Sequence, residues 1–326
     1  MPQSDAIKSP FPAQQPRAFR HDAVFYRGAR DFVPAVLPFV AAAVERHEPV
    51  LVAVLPAREE ALRSELGDAT ARVEFVDMQS AGRNPARIIP VWSDFVRRHA
   101  DSGKVLNGVG EPIWGERTPQ EIAECQRHES LLNLAFAAAG PFALICPYDE
   151  AGLPADVVAA ARESHPHIIE RGERQVSSCY HGVAGIEGSD GRPLPAAPEH
   201  LHARRFRAAD IAAVRREVEA WAIAHGVEAS RAADLSLAVH EAAANSIRHG
   251  GGRGVLRSWT ADDAAVCEIA DAGALRDPLV GRSLPPPHSG GGRGIWLINH
   301  LCDLVQVRTT AAGTVVRMHQ HLGPAA

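Results

Sequence analysis

The chain of 326 residues predicts an α/β protein of two domains, a parallel-sheet domain followed by an α/β sandwich. Three observations carry this. Short β-rich runs alternate with helical stretches from about Ala18 to Ile169, as in a parallel sheet covered by helices. A segment rich in Gly, Ser and Pro then interrupts the pattern. Beyond it, from about Leu201 to Leu322, come helices and strands that read as one α+β domain.

In the first domain, strands are expected at Val50 to Leu55, Val73 to Asp77, Lys104 to Val109 and Phe142 to Cys146. Helices are expected at Asp31 to Arg46, Arg58 to Glu65, Pro85 to His99 and Pro119 to Ala138. The first and last strands are almost wholly apolar, which suits strands buried on both faces. The linker candidate runs from Gly182 to Pro198 and contains Gly188-Ser189-Asp190-Gly191, Pro193, Pro195 and Pro198. In domain terms this gives residues 18–175, a linker over 176–203 and a second domain over 204–322. There, Asp210 is expected to cap a helix that runs through Val214, Val218 and Trp221 to His225, where Gly226 ends it. A second helix is expected from about Ser230 to His249. Strands follow at Val255 to Trp259, Ala265 to Asp271, Leu304 to Thr309 and Thr314 to His319, with a helix from Gly292 to Cys302 between the second and third.

Composition narrows the function. A 46% hydrophobic and 22% charged chain suits a soluble globular protein, and its net charge of -5 gives no support to a nucleic-acid or anionic-membrane surface. The five cysteines, Cys125, Cys146, Cys179, Cys267 and Cys302, show no Cys-x-x-Cys spacing, so neither a zinc site nor a disulfide framework is expected. The 16 histidines are dispersed and form no His-x-x-x-His or His-Glu-x-x-His pair. With no signal-like segment and no apolar run of about 18 residues, a cytoplasmic location is expected.

The chemistry-bearing residues lie in the second domain. Glu241 and Asn245 are four apart on a helix and therefore share a face, together with Asp234 and Arg248. A carboxylate can deprotonate a nucleophile, and a carboxamide oxygen can hold a hard cation such as Mg2+. Asp271 ends an apolar strand and could accept a hydrogen bond from an exocyclic amine, while Gly273 lets a ligand approach the backbone. Gly-Gly-Gly-Arg-Gly occurs at Gly250 to Gly254 and again at Gly290 to Gly294. The first copy follows a helix and reads as a stop and a turn. The second opens a helix, where backbone N–H groups and the helix dipole favour a phosphate. No Gly-Lys-Ser/Thr follows it, so it is not a Walker A loop. Between Ala274 and Ser289, Pro278, Gly281 and Pro285-Pro286-Pro287 suit a lid.

Glu241-x-x-x-Asn245, Asp271-x-Gly273 and Gly292-x-Gly294, in this order, resemble the N, G1 and G2 boxes of the GHKL ATPase superfamily. Asn245-Ser246-Ile247-Arg248-His249-Gly250 looks like its anti-sigma-factor serine kinase branch. The resemblance covers about Arg204 to His319. It implies an ATP-binding α/β sandwich in which Asn245 holds Mg2+, Asp271 reads the adenine amine, Gly292 and Gly294 let the chain wrap the phosphates, and Glu241 is the general base. It also implies protein partners, a sigma factor and a STAS-type anti-anti-sigma factor.

The first domain has no P-loop, because Leu55-Pro56-Ala57-Arg58-Glu59-Glu60 follows its first expected strand. It resembles the MEDS sensory domain, which looks like a RecA-type fold without a phosphate loop. The residues that carry this are His21, Tyr26, Gly110-Glu111-Pro112-Ile113-Trp114, Glu129 with Asn133, and Cys146-Pro147-Tyr148-Asp149. The resemblance implies a small-molecule signal, with His21, Tyr26, Glu111, Trp114, Glu129, Asn133 and Tyr148 as ligand candidates. The expected whole is a sensor-regulated, ATP-dependent serine/threonine protein kinase or anti-sigma factor. A sensor histidine kinase and a non-catalytic, ATP-gated partner-binding module are the alternatives.

Overall fold

The computed structural model describes residues 16–182, 184, 186, 193–199, 201–261, 263–283 and 292–322. Parts of the expected linker (183, 185, 187–192 and 200), of the expected lid (284–289, with Pro285-Pro286-Pro287) and of the second glycine cluster (Gly290 and Gly291) lie outside the described residues. The chain divides into two compact units, the second comprising Arg83–Pro90 and the chain from Ile186 onward.

The first sheet contains β1 (Arg20–Tyr26), β2 (Val50–Val54), β3 (Glu74–Asp77), β4 (Leu106–Gly110), β5 (Phe142–Asp149), β6 (His167–Glu170) and β7 (Glu173–Val176). Their order is β3-β2-β4-β5-β1-β6-β7, parallel except for the antiparallel β6–β7 pair. The helices are α1 (Ala29–Glu45), α2 (Pro56–Leu66), α3 (Met78–Ala81), α4 (Ile88–Arg98), α5 (Pro119–Ala135) and α6 (Ala155–Ser164). Thr118 and Glu121 start α5 with a reciprocal cap: Thr118 Oγ1 accepts from Glu121 N at 3.2 Å and Glu121 Oε2 accepts from Thr118 N at 2.8 Å.

The sequence pattern missed β1, an interior strand, because its first half, Arg20-His21-Asp22, is polar. Arg20 is half-buried and stands 3.4 Å from Asp22, while His21 and Asp22 are buried with partners. Asp22 is fully buried and receives two hydrogen bonds from Arg174, at 2.7 and 3.1 Å. Pairing to β5 on one side and β6 on the other satisfies the backbone. The helix expected from Pro85 to His99 is a 3-10 turn, Pro85–Arg87, followed by α4.

The second unit has a sheet of order β11-β12-β10-β9-β8, every neighbouring pair antiparallel. Its strands are β8 (His202–Arg207), β9 (Arg253–Ala261), β10 (Ala264–Asp271), β11 (Leu304–Thr310) and β12 (Gly313–His321). Its helices are α7 (Ile211–Ala224), α8 (Ala229–His249) and α9 (Arg293–Leu301). Val214 and Val218 of α7, Leu235 and Val239 of α8, and Ile298 of α9 share one buried core with Leu256, Ile269 and Met318 of the sheet. Edge strand β8 escaped the sequence pattern because only Phe206 of its six residues is buried. Asp210 does not cap α7. Its carboxylate instead accepts from Arg207 N at 3.0 Å and closes the preceding turn. The cap of α8 is Glu228, which accepts from Ser230 N at 3.0 Å.

At the carboxyl edge of the parallel sheet, Glu111 sits just past β4 and is buried. Its Oε2 accepts from Leu55 N at 3.2 Å and its Oε1 from the Tyr26 hydroxyl at 3.4 Å. Arg58 donates to the Tyr26 oxygen at 3.3 Å and stands 3.8 Å from Glu111 and 3.9 Å from Asp149. Burial outweighs these favourable partners and pushes the Glu111 carboxyl up to about 7. The folded chain therefore keeps a proton that the unfolded chain releases near pH 4.5. Stability falls as pH rises between those two values and levels off above the higher one. Relative to Glu111→Gln, the wild type should lose on the order of 3 kcal/mol at most across that window. Urea unfolding at pH 5 and pH 8 checks this; a gap that does not change with pH would refute it.

Candidate functional site

Helix α8 directs Glu241 and Asn245 into a cleft of about 470 Å3, within the roughly 300–1,000 Å3 typical of small-molecule sites. Asp271 and Gly273 at the end of β10, Thr314 of β12, and Gly292 and Gly294 at the start of α9 line the same cleft. Residues from four separated stretches of sequence thus meet in one cavity. Asp234, expected on the same helical face, does not join them; it pairs with Arg231 at 2.9 Å, and Arg231 pairs with Asp303 at 2.9 Å. Arg248 does line the cleft, with Arg276 and Arg293, and so sets cationic groups among the carboxylates.

The approach of α9 to α8 is close. A methyl group at position 294 would stand 3.0 Å from Asn245 Nδ2 and 3.1 Å from Glu241 Oε2, so a bare backbone is what lets this helix start lie against the pair. Gly292 caps α9 with a left-handed φ of 88°. The first N–H groups of a helix have no intrahelical acceptor and carry partial positive charge, which suits an anion.

Asp271 is held through both carboxylate oxygens. Oδ2 accepts from Ser246 Oγ at 2.5 Å, and Oδ1 accepts from Gly273 N at 2.7 Å. Each oxygen keeps a further lone pair for an incoming N–H donor. The Gly273 carbonyl accepts from Thr314 Oγ1 at 2.9 Å, which pins the turn after β10 to the neighbouring strand. Gly250 does more than stop α8, the only role its sequence suggested. A Cβ there would lie 2.4 Å from Asp271 Cγ, so the carboxylate can seat only against glycine. Ser246, Gly250 and Thr314 were not singled out in sequence as site residues. The available hint was Ser246 directly after Asn245, whereas the contacts of Gly250 and Thr314 depend on strand and helix placement.

The seven sensory candidates of the first domain separate. Tyr26 and Glu111 form the carboxyl-edge group with Arg58, and the Arg117 guanidinium lies over the Trp114 ring at 3.8 Å. His21, Glu129, Asn133 and Tyr148 gather elsewhere, between β1, α5 and β5. There His21 Nδ1 lies 3.2 Å from Asn133 Oδ1, and His21 Nε2 lies 3.1 Å from Glu129 Oε2. The Tyr148 ring meets His165, a residue the sequence did not mark, edge-on at 5.7 Å between centroids. No described helix is long and apolar enough to cross a membrane.

Comparison with known proteins gives two family matches. Residues 20–166 match MEDS, the MEthanogen/methylotroph, DcmR Sensory domain. Residues 205–320 match the histidine kinase-like ATPase domain. No curated protein matches the chain. A solved structure, the RsbU and RsbW domains of Rv1364c from Mycobacterium tuberculosis, is similar at 18% identity and a TM-score of 0.29, over 38% of this chain and 34% of that one. This chain therefore spans about a third of that relative. It carries a MEDS sensory domain in residues 20–166 and a histidine kinase-like ATPase domain in residues 205–320.

Proposed function

We propose that the C-terminal domain binds ATP with Mg2+ and acts as a serine/threonine protein kinase or anti-sigma regulatory factor, under the control of the N-terminal sensory domain. The supporting observation is the convergence of Glu241, Asn245 and Gly294 in the cleft that also holds a doubly anchored Asp271. The oxygen donors suit a hard cation, and Asn245 Oδ1 would hold Mg2+, which supplies neutralisation of charge on the phosphate oxygens. Asp271 accepts from the adenine amine. The N–H groups opening α9, with Arg248 and Arg293 nearby, cradle the phosphates.

In transfer, a partner's seryl or threonyl oxygen bonds to the γ-phosphorus as the bond from that phosphorus to the ADP oxygen breaks. The hydroxyl proton passes to the Glu241 carboxylate. Because such transition states are loose, positioning contributes more than proton removal. The partners that fit are a sigma factor and a STAS-type anti-anti-sigma factor, the latter being the phosphate acceptor. The small-molecule signal would act at the MEDS domain.

Glu241→Ala with Asn245→Ala should abolish Mg-dependent ATP binding in calorimetry; unchanged affinity would remove the basis of the proposal. Glu241→Gln alone should keep most of the ATP affinity and lower transfer to a STAS-type partner by roughly 100-fold or more, read as acid-stable phosphoserine or phosphothreonine from labelled ATP. If the wild type binds ATP and modifies no partner, the anti-sigma reading stands and the kinase reading falls. Ser246→Ala frees one oxygen of Asp271 and should weaken ATP binding about tenfold, the equivalent of one hydrogen bond. Gly250→Ala should weaken it further, since it displaces the carboxylate itself; equal affinities for these two variants and the wild type would show that Asp271 does not touch the nucleotide.

A further inference from the structure

We propose that His21, Glu129, Cys146 and His165 form a closed site for one divalent transition-metal ion of the zinc class within the sensory domain. This inference is independent of the ATPase site. The candidate ligand atoms of the four residues lie within 4.8 Å of one another, and all four side chains are buried. His21 Nε2 is 3.1 Å from Glu129 Oε2 and 3.3 Å from Cys146 Sγ, and His165 Nε2 is 3.0 Å from Glu129 Oε2. Ligands of a tetrahedral zinc ion with bonds of about 2.0–2.3 Å stand about 3.3–3.8 Å apart, so a few tenths of an ångström of expansion admits the ion.

The hydrogen bonds behind the cluster set its chemistry. Asn133 Nδ2 donates to Ser164 O at 2.8 Å, which turns Asn133 Oδ1 toward His21 Nδ1 at 3.2 Å and makes that nitrogen the donor. His165 Nδ1 lies 2.7 Å from the Ala161 carbonyl and must also donate. In a neutral imidazole the other nitrogen then bears a lone pair. Both Nε2 atoms therefore turn lone pairs toward the Glu129 carboxylate, and while the Cys146 thiol, 3.3 Å from His21 Nε2, can donate to that nitrogen, His165 Nε2 and Glu129 face each other as acceptors. Among the described residues, Glu129 Oε1, Glu129 Oε2 and His165 Nε2 have no aligned hydrogen-bond partner. A buried anion left this way is costly.

A central cation resolves the conflict. Histidines that ligate through Nε2 while Nδ1–H donates to an oxygen acceptor are the usual arrangement behind protein-bound metals. When M2+ enters, the Cys146 S–H bond breaks, the thiolate bonds to the metal and the proton leaves to solvent. The metal's two positive charges then balance one thiolate and one carboxylate, so the centre is neutral where water is excluded. The nitrogen, sulfur and oxygen donor set favours zinc-like ions over Mg2+ or Ca2+. With four protein ligands the site resembles structural rather than catalytic centres, and it ties β1, α5 and β5 to the residue that follows α6.

The test uses the full chain, stripped with chelator and then titrated with Zn2+ or Co2+. One equivalent should bind, the unfolding temperature should rise, and Co2+ should give intense d–d bands of tetrahedral coordination with a thiolate-to-cobalt charge-transfer band. Cys146→Ser should remove the charge-transfer band, whereas Cys179→Ser, at an exposed cysteine, should leave it. His165→Gln and Glu129→Gln should each weaken binding by about 100-fold or more, and Asn133→Ala, behind His21, by about tenfold. Two independent ligand variants keep the test valid if one does not fold. A folded wild type that retains no metal, or a charge-transfer band that survives Cys146→Ser, would overturn the proposal.

Discussion

The C-terminal cleft depends on two places where backbone passes within side-chain distance of the groups it must position. At Gly250 the end of α8 touches Asp271, and at Gly294 the start of α9 touches Glu241 and Asn245. A larger residue at Gly250 would displace the Asp271 side chain, and one at Gly294 would crowd the ends of Glu241 and Asn245. The apolar core beneath, built from α7, α8, α9 and the sheet, fixes how far these elements can separate. Packed interiors do not deform smoothly, so the close contacts and the cleft stand or fall together. Asp271 adds a second tie: its two hydrogen bonds, one from α8 and one from its own turn, hold the strand end against the helix.

The sensory domain is organised by a different constraint, the number of polar groups it buries in a parallel sheet. Most are matched. Asp22 has Arg174, and Glu48 accepts from Asn107 at 3.0 Å. Glu111 and Glu129 are held differently. Glu111 stands 3.8 Å from Arg58 and still keeps its proton up to about pH 7. Glu129 faces two imidazoles instead, and these together with buried Cys146 make a nest of ligands rather than a hydrogen-bonded pair. Uncompensated polarity of this kind inside a domain commonly marks function.

Much of the fold was legible because its pattern is periodic. Val50 to Leu55 and Phe142 to Cys146 read as strands since they are buried on both faces, and α8 read as a helix over almost its full length. The failures have physical causes. Strand β1 begins with polar residues whose partners lie 112 to 152 positions away, and β8 is an edge strand with one buried side chain. Asp210 looked like a cap, yet its carboxylate is engaged by Arg207 N. Metal-ligand spacing rules look within a few residues, so they cannot see ligands at positions 21, 129, 146 and 165 that only sheet pairing and helix packing bring together.

For the C-terminal site, sequence alone determined the residue types and their order: a carboxylate and an amide one helical turn apart, an aspartate at a strand end, and glycines before a helix. Local geometry suffices for that, because helical spacing and chain direction follow from the residues themselves. Tertiary structure decided which members share the cleft. It drew in Ser246, Gly250 and Thr314, and left Asp234 to its ion pair with Arg231. In the sensory domain, it separated Tyr26 and Glu111 from His21 and Glu129, and brought His165 and Cys146 to the latter. The reason is common to both domains: contacts between distant segments are set by how elements pack, and no local pattern encodes them.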